Sequence, residues 1–181
     1  MQVISIFSIF LLLSLPWVNP FAPGPSPAIA PWLVSMACAA GVALLIALHS
    51  NKQPGNLKPS GFDAAYVFGA SLLAAGLISS GLALLQYFDL EAAFAPLVNA
   101  TEPGYAFANL RQRNQFASLT NISLAALLWL TVQKQQVKVA DKTRFIVWQL
   151  AAVGLLVVGN AISSSRTGLF QLLLLCALYV I

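Results

Sequence analysis

Two short polar passages contain residue types that bind oxyanions. Residues 111–115 read Arg-Gln-Arg-Asn-Gln and lead directly into an apolar run. Residues 163–167 read Ser-Ser-Ser-Arg-Thr and separate two apolar runs. Arginine presents paired N–H donors that match phosphate oxygens, and amide and hydroxyl groups add further hydrogen-bond donors. The two passages are therefore candidates for an anion-binding site.

Each passage also has a structural interpretation that needs no ligand. Arginines that flank a membrane helix can extend along their apolar stems to the aqueous interface. The serine-rich passage can form a tight helix–helix turn in which Gly168 relaxes the backbone. The residues alone leave both interpretations of each passage open.

The composition of the chain indicates that these passages belong to a membrane protein. The sequence has 181 residues, of which 59% are hydrophobic and 8% are charged, and its mean hydropathy is +0.83. A soluble domain carries about 25% charged residues, and a disordered chain is poor in apolar residues, so both classes are excluded. Runs that approach the length of a membrane span lie at residues 3–18, 29–48, 64–88, 114–132, 145–162 and 168–181.

These runs predict an all-α fold. We expect a polytopic membrane helix bundle with about six transmembrane segments, which together form a single transmembrane domain over residues 1–181. The lipid bilayer is then an expected partner of the chain. Helices that are apolar on all sides place side chains against lipid as well as inside the bundle.

The distribution of basic residues predicts the orientation of the bundle. Cytoplasmic connections carry an excess of lysine and arginine. The connections 49–63 and 133–144 hold six basic residues, whereas the remaining connections hold three. The six are Lys52, Lys58, Lys134, Lys138, Lys142 and Arg144. We therefore predict a cytoplasmic N-terminus, with both polar passages on the outer side, where they can converge on one ligand.

Other kinds of chemistry find little support in the sequence. Cys38 and Cys176 lie within apolar runs and are typical of buried apolar residues. His49 is the only histidine, so a histidine-based metal cluster is excluded, and its predicted cytoplasmic position excludes a triad with the outer serines. The nucleotide-binding P-loop, the GxGxxG dinucleotide-binding fingerprint and the HExxH zinc-protease motif do not occur. We expect no metal and no cofactor, and the scattered basic residues do not indicate nucleic acid.

A family resemblance gives the polar passages a more specific meaning. The sequence Asn109-Leu-Arg-Gln-Arg-Asn-Gln-Phe-Ala117, followed one helical hairpin later by Ser165-Arg-Thr-Gly168, resembles the bacterial O-antigen ligase and polymerase superfamily. The nearer resemblance is to its protein O-oligosaccharyltransferase branch, the pilin glycosylation ligases. It implies a multi-pass enzyme of the bacterial inner membrane that transfers a glycan from undecaprenyl pyrophosphate on the periplasmic side.

The resemblance also implies roles for individual residues. Arginine side chains would contact the lipid-linked pyrophosphate, and neighbouring amide and hydroxyl groups would shape the same site. The implied substrate-binding residues are Arg111, Arg113, Asn114, Gln115, Ser165, Arg166 and Thr167. The acceptor would be a serine or threonine hydroxyl of a pilin-like protein, or a sugar hydroxyl of the lipopolysaccharide core in the ligase branch.

One departure from the family pattern limits what this chain is expected to do. Members of the family carry a large periplasmic loop with a histidine that serves as general base, and this chain contains neither. The last apolar run has 14 residues and ends without a polar flank. We expect the chain to be the N-terminal part of a longer protein, with part of the donor site, no catalytic residue and no activity alone.

Two alternatives remain open. The whole protein could be an O-antigen ligase or polymerase with a sugar acceptor, which differs only in the acceptor. It could also be a non-catalytic membrane protein, such as a transporter half or an assembly partner. Clustering of the charged residues near the ends of the apolar runs argues against ion-coupled transport.

Overall fold

The computed structural model describes residues 2–21, 29–50, 63–102, 104–135 and 142–180. These residues form α-helices joined by turns, and no strand occurs among them. The helices are α1 (Gln2–Val18), α2 (Ile29–Ser50), α3 (Ala64–Tyr87), α4 (Arg113–Gln135), α5 (Lys142–Ile162) and α6 (Arg166–Val180), with one 3-10 turn over Glu91–Phe94. The predicted all-α fold is confirmed, and each of the six apolar runs forms a helix.

The helices differ in their capacity to cross a bilayer. Four of those in the described part of the chain are long and apolar enough, namely α2, α3, α4 and α5. Helices α1 and α6 are apolar but shorter. The orientation stays a prediction, and three of the lysines on which it rests, Lys52, Lys58 and Lys138, lie outside the described residues.

Helices α3 and α4 form the centre of the bundle. Helix α3 contacts α1, α4 and α5, and helix α4 contacts α3, α5 and α6. Leucine side chains fill the space between them; Leu73, Leu124, Leu127, Leu130 and Leu156 are buried there. Among the described helices, α2 packs against α1 and contacts no other. The bundle thus has a group of α3 to α6 and a pair, α1 and α2, that packs on this group through the contact of α1 with α3.

Small residues let the central helices approach closely. A side chain at Gly76 of α3 would overlap Ser123 of α4, and a side chain at Gly168 of α6 would overlap the Cβ atom of Ala117. Glycine at such contacts is typical of membrane helices, where close backbone approach supplies much of the packing energy. The Ser123 hydroxyl also donates a hydrogen bond to the carbonyl of Leu72, at 2.7 Å. These contacts fix the distances of α3 and α6 from α4.

Candidate functional site

A cavity of about 540 Å³ lies where α1 ends and where α2 and α4 begin. Its walls come from the end of α1, the start of α2, the last part of the 88–112 connection and the first half of α4. Small-molecule sites commonly have volumes of about 300–1,000 Å³, so the cavity could hold a ligand. Arg111 is the one ionisable residue among the described residues that line it, so the wall carries a positive charge.

One face of α4 forms a wall of this cavity that is polar at the start of the helix and apolar farther along it, and we call it the polar-to-apolar wall. Asn114 and Gln115 lie in the first turn, Ser118 follows one turn later, and Leu119 and Ile122 lie deeper along the helix. Because residues three and four apart share a helix face, these side chains form one continuous strip. The cavity is thus polar at the start of α4 and apolar farther along it.

Two Pro-Trp pairs form the opposite wall. Pro16-Trp17 ends α1 and Pro31-Trp32 begins α2, and all four residues line the cavity. The side chain of Trp32 is 70% exposed. Indole rings offer a large apolar surface together with one N–H donor, so this wall suits an apolar chain or a sugar ring.

The structure brings the two polar passages together at one end of the bundle. The hydroxyl of Ser165 donates a hydrogen bond to Oδ1 of Asn114, at 2.9 Å. Of the seven predicted ligand contacts, three line the cavity: Arg111, Asn114 and Gln115. Ser165 is buried behind the wall, whereas Arg113, Arg166 and Thr167 are exposed and do not line the cavity. Ligand binding by these residues remains a prediction.

The serine-rich passage forms the turn between α5 and α6. Ser164 adopts a left-handed conformation with φ of 51°, and Ser165 caps α6 by accepting a hydrogen bond from the backbone N–H of Gly168, at 3.0 Å. The turn interpretation of this passage is thus correct, but the role expected for Gly168 is wrong. Gly168 lies within the first turn of α6, and its missing side chain makes room for Ala117 of α4.

Amide side chains join α4 to α5 and α6 beside this turn. Nδ2 of Asn160 donates to Oγ1 of Thr120 at 3.0 Å, and Nδ2 of Asn121 donates to the carbonyl of Gly168 at 2.9 Å. Gln171 accepts hydrogen bonds from both Asn121 and Ser118. Sequence analysis did not single these residues out. Their signal is an amide inside an apolar run, which lipid cannot satisfy and which therefore turns toward a neighbouring helix.

Gln86 anchors the connection that leads into the cavity. Its side chain is fully buried at the end of α3. Nε2 donates to the carbonyls of Asn99 and Ala108, both at 2.8 Å, and Oε1 accepts from the N–H groups of Phe107 and Ala108 at 3.1 and 2.8 Å. Ala108 has a left-handed φ of 56°. The side chain thus supplies the hydrogen bonds that hold this strained residue.

Asn109 ties the same connection to the end of α1. Nδ2 donates to the carbonyls of Val18 and Leu97, at 3.1 and 2.8 Å, and Oδ1 accepts from the N–H of Asn99 at 3.0 Å. Asn109 also lines the cavity. The first residue of the sequence motif therefore fixes the position of Arg111 relative to the tryptophan wall.

Positive charge gathers at two helix N-termini near the cavity. Arg113 is the first residue of α4 and Arg166 the first residue of α6, and Arg111 precedes α4 by two residues. A helix N-terminus carries partial positive charge, so each cation there costs about 0.3–1 kcal/mol in stability. A bound anion would offset this cost and would also accept hydrogen bonds from the first N–H groups of the helix.

Comparison with known proteins finds a family match over the residues that form the α4 wall of the cavity. A family model described as protein glycosylation ligase matches residues 106–130. The matched residues run from the end of the 88–112 connection through most of α4, and they include its cavity-lining strip. No curated protein and no solved structure matches the chain. Over the matched stretch the chain is similar to the protein glycosylation ligases, which supports the resemblance at the level of the oligosaccharyltransferase family.

Proposed function

We propose that this chain forms the donor-binding region of a membrane oligosaccharyltransferase that glycosylates protein. The donor would be a glycan on undecaprenyl pyrophosphate, and the acceptor a serine or threonine hydroxyl of a pilin-like protein. Transfer would take place at the periplasmic face of the bacterial inner membrane. The observation that carries the proposal is the cavity, because its polar-to-apolar α4 wall lies within the residues matched by the glycosylation-ligase family.

The lining of the cavity suits the two halves of such a donor. Pyrophosphate oxygens would accept hydrogen bonds from Arg111 and from the amides of Asn114 and Gln115. The isoprenoid chain would lie against the tryptophan wall and the apolar part of α4. The neighbouring residues Arg113, Arg166 and Thr167 lie at the same end of the bundle, where we propose that they contact the exposed side of the pyrophosphate.

The chemical role of this region would be to stabilise the leaving group. The acceptor hydroxyl oxygen attacks the anomeric carbon of the first sugar, a new glycosidic bond forms, and the bond from that carbon to the pyrophosphate oxygen breaks. Negative charge then grows on the pyrophosphate, and Arg111 with its neighbouring donors would stabilise it. No histidine or carboxylate is among the described residues that line the cavity, so the hydroxyl proton would pass to a group outside it.

A binding measurement tests the proposal with a matched pair of arginines. Arg111 lines the cavity, whereas Arg144 lies in the first turn of α5, outside the cavity. In lipid nanodiscs, we expect Arg111→Ala to weaken binding of undecaprenyl pyrophosphate at least about tenfold, the scale of a hydrogen bond to a charged group. Arg144→Ala should bind like the unaltered chain. Equal affinities of the two variants would contradict the proposed site.

A further inference from the structure

We infer that Ser165 is a positioning residue that sets which end of the Asn114 amide faces the cavity. The chemistry that it would select is a polyprenyl pyrophosphate, so the inference rests on the proposed function. Ser165 itself does not line the cavity. Its effect on the ligand would pass through Asn114, and the two polar passages would then work as one unit.

The turn between α5 and α6 fixes the position of the Ser165 hydroxyl. The residue is 6% exposed. Its oxygen accepts the backbone N–H of Gly168 at 3.0 Å, and its own backbone N–H donates to Oγ of Ser163 at 3.2 Å. Both the backbone and the side-chain oxygen are thus held by hydrogen bonds within the turn.

The other hydrogen bonds of this hydroxyl determine whether it donates to Asn114 or accepts from it. A serine hydroxyl has one proton to give. Its oxygen already accepts from Gly168, and its proton goes to Oδ1 of Asn114, at 2.9 Å. If the amide were reversed, two N–H donors would face the same oxygen and the hydroxyl proton would lose this acceptor. Buried polar groups are rarely left in that state.

With its oxygen held by Ser165, the Asn114 amide would present its N–H donors to the ligand. Asn114 lines the cavity and is exposed there. With Oδ1 engaged by Ser165, the two N–H bonds of its Nδ2 group remain as donors to an anion. An amide has nearly the same shape in either orientation, so without Ser165 the carbonyl oxygen could face the cavity and repel the phosphate oxygens.

The test compares the affinities of two lipids that differ in charge, undecaprenyl pyrophosphate and undecaprenyl alcohol, for the chain in nanodiscs. Ser165→Gly removes the hydroxyl and is tolerated at a helix N-cap with little cost. We expect it to weaken binding of the pyrophosphate about tenfold, as for the loss of one hydrogen bond to a charged group, and to leave binding of the alcohol unchanged. Ser165→Thr retains the hydroxyl and should retain the affinity for the pyrophosphate.

A double variant separates positioning from direct contact. If Ser165 acts through Asn114, adding Ser165→Gly to Asn114→Ala should cause no further loss. Any of three results would overturn the positioning role. They are losses of affinity that multiply in the double variant, an unchanged pyrophosphate affinity in Ser165→Gly, and an equal loss of affinity for both lipids. If the unaltered chain does not prefer the pyrophosphate over the alcohol, the proposed function fails as well; if it does, only the role of Ser165 is at stake.

Discussion

Gln86 shows how much one amide can contribute to a membrane-edge loop. Its two N–H bonds and its carbonyl oxygen make four hydrogen bonds, all to backbone groups of the 88–112 connection. An amide can satisfy two carbonyls and two N–H groups at once, which no apolar residue of the same size can do. The left-handed conformation of Ala108 persists because both of its backbone polar groups bind this one side chain.

Replacing Gln86 by leucine should destabilise the protein strongly. The variant keeps most of the side-chain volume but leaves backbone groups unpaired, at about 1–3 kcal/mol for each buried group. The control is Gln149→Leu, which removes one hydrogen bond, to Thr131 near the other end of the bundle. Unfolding by SDS in mixed micelles, followed by circular dichroism, measures both. A cost for Gln86→Leu no greater than for Gln149→Leu would contradict the anchoring role.

The contacts of Gln86 could not be predicted from the sequence, whereas the position of the arginine passage at the start of an apolar helix could. Arg111, Asn114 and Gln115 are adjacent polar residues at the edge of an apolar run, so their location near a polar site follows from local sequence. Gln86 ends an apolar run, a position also typical of a residue that merely faces water. Its partners are 13 to 22 residues away, and such contacts depend on the path of the chain.

The contact between α4 and α6 depends on a close backbone approach, because only the methyl group of Ala117 lies between the helices at Gly168. Gly168 faces Ala117 directly, and hydrogen bonds from Asn121 and Asn160 flank the contact. Small residues and interhelical hydrogen bonds replace the hydrophobic driving force that is absent in lipid. The approach also holds Ser165, which caps α6, within reach of Asn114.

A methyl group at this contact should therefore separate the helices. We expect Gly168→Ala to lower the free energy of unfolding by about 1–3 kcal/mol, the usual cost of overpacking. Gly154→Ala is the matched control, because a side chain at Gly154 of α5 would meet no atom within 4 Å. The control should be unchanged or slightly more stable, since alanine favours helix over glycine. Equal losses of stability in the two variants would refute the close contact.

Helix positions were easier to predict than helix neighbours. The predicted runs at 64–88 and 145–162 correspond to α3 at Ala64–Tyr87 and α5 at Lys142–Ile162, because the length of an apolar run is set by the membrane. The packing faces could not be predicted in the same way. Helices that are apolar all round carry no amphipathic pattern, so the buried side is marked only by small residues such as Gly76 and by amides such as Asn121 and Asn160.

The cavity lies between two groups of helices that are joined by the contact of α1 with α3. The polar strip belongs to α4 in the group of α3 to α6, whereas the tryptophan wall belongs to the pair α1 and α2. Asn109 bonds to the end of α1 and thereby links the two groups at the cavity. The volume between the walls is thus set by the docking of α1 against α3.

Loss of an indole from the tryptophan wall should weaken lipid binding regardless of charge. Trp32→Ala removes apolar contact area, so we expect about tenfold weaker binding of both undecaprenyl pyrophosphate and undecaprenyl alcohol, consistent with about 25 cal/mol per Å² of buried surface. Trp148→Ala, on the exposed surface of α5 and outside this cavity, should bind both lipids normally. A loss confined to the pyrophosphate would show that Trp32 contacts the charged head instead.

Composition alone predicted the membrane class, and topology predicted that the two polar passages could meet. The hydrogen bond between Ser165 and Asn114 joins those passages. The tryptophan wall was not predicted, because Pro-Trp pairs at the ends of apolar runs are also typical of interfacial anchors. Trp17 and Asn114 are far apart in the sequence, and only the packing of α1 on the central helices brings them to one cavity.

The peripheral position of α2 has a consequence for ligands that are longer than the cavity. Helices α2 and α4 both line it, yet within the described residues no contact joins them. If α2 and α4 cross the bilayer, as their length and composition allow, the gap between them would open sideways toward the lipid hydrocarbon. A long isoprenoid tail could therefore enter the cavity sideways from the bilayer. Most of the tail would remain among the lipids, and only the charged end of the donor would bind at the start of α4.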